Sequence, residues 1–127
     1  MIWLALAIAG LPAAQQIEVK DEIVVLGTKM KQWKARVQSS RGKVTCITQI
    51  SSGDPAVDAI GCSAMSTCIE RSLPRLLASA DKRRSSAERK ALNAAVTEEI
   101  KTCTSAQHET LLAALAERRF FARHGSK

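Results

Sequence analysis

A chain of 127 residues with 46% apolar side chains has room for one domain and one core. Its aromatics are few (Trp3, Trp33, Phe120 and Phe121, with no Tyr), so the core must be built from Ala, Leu, Ile and Val and would benefit from covalent staples. A net charge of +7 is either a merely solvated basic surface or one suited to polyanionic neighbours: lipopolysaccharide, anionic lipid, nucleic acid or acidic proteins.

Met1 to Ala14, MIWLALAIAGLPAA, is an apolar run broken by Gly10 and Pro12 and closed by small residues. It reads as a cleaved secretory leader, too short to span a bilayer as a helix, although no Lys or Arg precedes the run. The expected organisation is a signal peptide over residues 1–14 and a single disulfide-stabilised α+β domain over 15–127. Export and four cysteines support each other, because disulfides persist outside the cytosol. The expected location is therefore periplasmic or secreted.

Strands are expected within residues 22–50. Asp21-Glu-Ile-Val-Val-Leu-Gly27 is a β-branched run ending in Gly. In residues 31–38, Trp33, Ala35 and Val37 alternate with Lys34, Arg36 and Gln38, which predicts a half-buried strand with a basic outer side. Ser39 to Lys43 reads as a turn. Val44 to Ile50 reads as a strand with Val44 and Cys46 on one side and Ile47 on the other.

Helices are expected at about 55–73, 85–103 and 105–122. Asp54 can cap the first, and Pro55 suits its first position. Val57, Ile60, Ala64 and Cys68 fall on one face of it, and Cys62, Met65, Ile69 and Leu73 on another. Pro74 ends or kinks it. Ser85 or Ser86 can cap the next helix, with Glu88 placed for a capping box, and its stripe is Leu92, Val96, Ile100 and Cys103. Thr104-Ser105 is read as a break, followed by the stripe Leu112, Leu115, Ala116 and Phe120. The predicted architecture is α+β: a small N-terminal antiparallel sheet packed on a three-helix unit, with two disulfides.

Four cysteines permit three pairings. Cys62 and Cys68 lie about 120° apart around one helix and cannot bond to each other. Two tests then disagree. Symmetry about the Asp81–Arg84 loop favours Cys62 with Cys103 and Cys46 with Cys68, which is the preferred pairing. The shortness of the path from Cys46 through the strand end into the helix favours Cys46 with Cys62 and Cys68 with Cys103. A zinc site is the weaker use of the four, for want of closely paired ligands.

No residue is assigned to catalysis, to a cofactor or to a metal. Cys-x-x-Cys, Walker and Gly-rich phosphate signatures are absent from the sequence. His108-Glu-Thr-Leu-Leu112 is not the metalloprotease motif, because Leu112 stands where a second His is needed, and His108 reads as an exposed residue in a first helical turn. Asp54 and Asp58 read as a cap and a dipole-favoured acid. The candidate anion-contacting surface is Lys31, Lys34, Arg36, Lys82, Arg83 and Arg84.

The apolar leader followed by Asp-Glu-Ile-Val-Val-Leu-Gly, and the later Ser-Ser-Gly-Asp-x3-Asp-x-Ile-Gly-Cys-x-Ala-Met-x2-Cys, resemble small exported proteins of unknown role in Gram-negative bacteria. The first motif is also similar to the mature start of TonB-dependent outer-membrane receptors, over a handful of residues. The resemblance implies export and no activity. The reading is a non-enzymatic exported protein that binds a partner protein or an anionic envelope component through basic surface. A small periplasmic enzyme and a nucleic-acid binder are the alternatives.

Overall fold

The computed structural model describes residues 12–124, so the expected leader lies outside the described residues except for its last three. The order is α1 (Ala13–Gln32), β1 (Lys34–Ser40), β2 (Lys43–Ile50), α2 (Pro55–Arg71), α3 (Leu73–Ser79) and α4 (Ser86–His124). The expected α+β class with a small antiparallel sheet and two disulfides holds. No helix among the described residues is long and apolar enough to cross a membrane.

Three features differ from the expectation. The first is α1, which occupies the run expected as a strand. Local β propensity spans only about 1 kcal/mol between residue types at one position and is set largely by packing context. Helical winding instead puts Val19, Leu26 and Met30 on one side, where they are buried against Leu112, Leu115, Ala116 and Phe120 of α4. Each fully buried side chain contributes on the order of 1.5–3 kcal/mol. Val24 and Val25, the residues that made the run look like a strand, are left 67% and 50% exposed.

The second difference is α4, where two helices were expected. The stripes on either side of Thr104-Ser105 share one phase: Val96, Thr104, Leu112, Ala116 and Phe120 are all buried. A Ser or Thr inside a helix costs only a few tenths of a kcal/mol, so packing carries the helix through. The cap at its start is as expected, with the Glu88 N–H donating to Ser85 Oγ at 3.1 Å.

The third is the disulfide pairing. Cys46 bonds Cys62 and Cys68 bonds Cys103, with Cα–Cα separations of 5.5 and 5.8 Å. The preferred pairing of Cys62 with Cys103 and Cys46 with Cys68 is therefore corrected. Symmetry about the Asp81–Arg84 loop fails because the arm before the loop is not one straight helix. The chain bends at Ser72, which closes α2 and opens α3. Cross-hairpin contacts such as Cys68 with Cys103 and Asp54 with Arg119 are centred near residue 86 instead. Cys62, on the other side of α2, faces the sheet.

β1 and β2 form an antiparallel hairpin closed by Arg41 and Gly42, both with positive φ (52° and 78°). That two-residue turn matches the right-handed twist of the strands, and Gly42 takes it without strain. Ala35, Val37, Val44, Cys46 and Thr48 face inward, and the Cys46–Cys62 bond ties the hairpin to α2. Trp33, at the junction of α1 and β1, is 8% exposed and donates from Nε1 to Thr48 Oγ1 at 3.0 Å.

Candidate functional site

The outer side of the hairpin collects charge of one sign. Between Glu22 and Asp54 the chain has no acid, while it has Lys29, Lys31, Lys34, Arg36, Arg41 and Lys43. Lys29 is engaged elsewhere, with its Nζ 3.3 Å from Asp54 Oδ2. Lys34, Arg36 and Lys43 are exposed on the strands, Arg41 in the turn and Lys31 at the end of α1. Among the described residues, no ion pair involves any of these five.

The register carries a bulge. Arg36 pairs with Ile47 and Ala35 with Thr48, but Lys34 pairs with Ile50, which leaves Gln49 as the extra residue. Strict alternation would turn Ile50 to the inner side with Cys46 and Thr48. The bulge instead places it beside Lys34 on the outer side, 55% exposed, near Ile47 at 43%. Two isoleucines thus sit among four cations. Composition hinted at the charge; the position of Ile50 had no signal in the sequence.

The six residues expected to contact anions do not form one surface. Lys31, Lys34 and Arg36 belong to the α1 end and the hairpin. Lys82, Arg83 and Arg84 belong to the α3–α4 loop, and neither a hydrogen bond nor an ion pair links them to the hairpin among the described residues. Arg83 is taken up locally: its Nε and Nη2 donate to the two Asp81 carboxylate oxygens at 3.1 and 3.0 Å. Arg41 and Lys43 were missing from the expected set and complete the hairpin's face.

At the other end of the hairpin a polar hub anchors the start of α2. Asp54, 7% exposed, caps the helix by accepting from the Ala56 N–H at 3.1 Å. It also accepts from both terminal nitrogens of Arg119 and from Lys29, and chiefly Arg119 holds its carboxyl well below the usual carboxylate range against the opposing effect of burial. Asp58 accepts from the hydroxyls of Ser51 and Ser52 and from the Ser52 N–H, and these bonds lower its carboxyl too. Asp54 is the cap its reading expected; Asp58 stands in the first turn of α2, as expected, and in addition holds the Ser51–Ser52 loop.

His108 departs from its expectation as an exposed first-turn residue. It lies in the middle of α4, edge-on to Trp33 with ring centroids 6.1 Å apart. Among the described residues its Nε2 is buried without a hydrogen-bond partner, as is Thr104 Oγ1 one turn earlier. Burial holds the imidazole below its ordinary pKa, partly offset by a hydrogen bond to the Gly61 backbone. Shallow grooves of about 390 and 370 Å³ adjoin it, one toward α1 and one toward α2. Among the described residues, no group of three or more His, Cys, Asp or Glu could hold a metal ion.

No protein-family model, no curated protein and no solved structure matches this chain.

Proposed function

We propose that this is a non-enzymatic exported protein that docks on an anionic partner through the outer side of its β-hairpin. The observation that carries the reading is the acid-free hairpin with Lys34, Arg36, Arg41 and Lys43 exposed on it and, among the described residues, in no ion pair. Four cations on a ribbon only two strands wide create a local field that attracts a polyanion and is screened by salt. The Cys46–Cys62 bond holds that ribbon rigid against α2, so little ordering entropy is lost on docking. Two disulfides in a chain of this size support an oxidising compartment.

Heparin-column elution tests the reading. Lys34→Glu with Arg36→Glu should elute at markedly lower salt than the wild type, whereas Lys82→Glu with Arg84→Glu should shift it less. Equal elution of the wild type and the hairpin variant sinks the proposal.

A second reading, a small enzyme, has one observation in its favour: the unpartnered Nε2 of His108 beside two grooves. It predicts that His108→Gln abolishes a hydrolytic activity that the wild type displays on an ester substrate.

A further inference from the structure

The docking reading above rests on charge alone; the bulge adds a second requirement on the partner. A purely electrostatic face gains nothing from exposed isoleucines, and Ile47 and Ile50 are the large apolar side chains that the hairpin leaves in water. Each is paired across the ribbon with a cation, Ile47 with Arg36 and Ile50 with Lys34. Directly opposite residues stand roughly 5 Å apart, within reach of the aliphatic stems of Arg36 and Lys34, which can cover apolar neighbours while their charged heads stay in water. The two isoleucines are neighbours on one side, because their partners Arg36 and Lys34 are two residues, roughly 7 Å, apart on the unbulged strand. The face therefore presents two isoleucines at the open end of the hairpin beside Lys34 and Arg36, with Lys43 and Arg41 following toward the turn.

We infer that the occupant of this face is the surface of an anionic lipid bilayer, with Ile47 and Ile50 entering the headgroup boundary and Lys34, Arg36, Arg41 and Lys43 at the phosphate level. The inference rests on the hairpin being the docking surface, as proposed above. Nucleic acid fits less well. Single strands are held by bases stacked on aromatics, and the hairpin's nearest aromatic, Trp33, is buried with its N–H engaged by Thr48. A duplex offers its phosphates to the cations but no apolar phase to two isoleucines.

The test is sedimentation of the full chain with vesicles of phosphatidylglycerol and phosphatidylcholine, with phosphatidylcholine vesicles, heparin and a short DNA duplex as parallel probes. The wild type should bind the anionic vesicles and heparin. Ile47→Ser with Ile50→Ser should keep heparin binding and lose at least about 10-fold in vesicle partition. Lys34→Glu with Arg36→Glu should lose about 30-fold or more on vesicles and weaken on heparin too. All four substitutions are at exposed positions, and intact mass with circular dichroism verifies that each variant keeps its disulfides and helices.

Vesicle partition unchanged by the isoleucine substitutions, or heparin binding with no vesicle partition, overturns the bilayer inference and leaves the electrostatic reading standing. Duplex DNA bound more tightly than vesicles also overturns it and assigns the face to nucleic acid. A wild type that binds none of the probes overturns both readings.

Discussion

Arg119 grips Asp54 with both terminal nitrogens, Nη1 to Oδ2 at 2.7 Å and Nη2 to Oδ1 at 2.8 Å, across 65 residues of chain. The fork joins the far end of α4 to the first turn of α2. It occurs where the Asp54 side chain is only 8% exposed, so the carboxylate depends on its partners for the solvation it has lost.

Arg119→Met should therefore destabilise the fold by about 2 kcal/mol, less than a fully buried pair because the Arg119 side chain keeps 31% of its exposure. Arg119→Lys should recover only part of this, since an ammonium cannot span both oxygens. The pH dependence follows from the depressed carboxyl of Asp54. Its contribution is fully present above the unfolded value of about 4 and is lost as pH falls below that, until the native carboxyl itself protonates. Urea midpoints between pH 6 and 2 should fall steeply below pH 4 in the wild type and less so in Asp54→Asn.

Gly61 is the point of closest approach between α2 and Trp33. A Cβ added there would stand 2.7–2.8 Å from three ring atoms. The ring cannot easily yield, because Thr48 holds its N–H and His108 lies against it. Gly61→Ala gains up to about 1 kcal/mol of helix propensity and should still destabilise by about 1–3 kcal/mol through overpacking. Denaturant unfolding followed by tryptophan fluorescence measures the difference. A stabilised Gly61→Ala variant would show that Trp33 moves freely.

Proteolysis without reductant should yield linked fragments containing Cys46 with Cys62 and Cys68 with Cys103. The bridges close loops of 16 and 35 residues of sequence separation. Chain entropy then assigns them roughly 3 and 4 kcal/mol. Replacing Cys68 and Cys103 by Ala should lower the denaturation midpoint more than replacing Cys46 and Cys62. The second double variant should instead loosen the hairpin, seen as faster amide exchange in β1 and β2.

His108 predicts a decline in stability near neutrality. Its imidazole is held neutral by burial in the fold and titrates at about 6.5 when unfolded. Stability is then constant above about pH 7 and falls as pH drops through 6.5, because the unfolded chain binds the proton first. The charged groups lining the grooves beside it are Lys31 from α1 and Lys101 and Glu109 from α4, and α2 contributes Met65 and Ile69 there. Melting temperatures of His108→Gln should be flatter than those of the wild type between pH 7.5 and 5.5.

Much of the architecture was legible because its signals are local. The hairpin was readable from the alternation of Trp33, Ala35 and Val37 with Lys34, Arg36 and Gln38, and from the Arg41-Gly42 turn. The cap at Asp54, the cap at Ser85 and the buried face Val57, Ile60, Ala64 and Cys68 followed from side-chain chemistry and a period of about 3.6 residues. α1 departs from the expected strand because the four β-branched or apolar residues Ile23 to Leu26 outweigh the longer spacing of Val19, Leu26 and Met30, which only α4 rewards. Gly61, a glycine inside a helix, was the available signal for a close approach. Arg119 had none, being one of 19 basic residues.

By itself the sequence determined the chemistry of the parts: an aromatic-poor chain with two sulfur bridges to form, a basic ribbon and a capped central helix. Those follow from composition and from neighbours a few residues apart. Tertiary structure alone decided which cysteine meets which, that Arg119 closes on Asp54, and that Ile50 turns outward. Each of these depends on a bend or a bulge that shifts register by a residue or a turn. Such a shift costs little locally, and only packing between distant segments selects it.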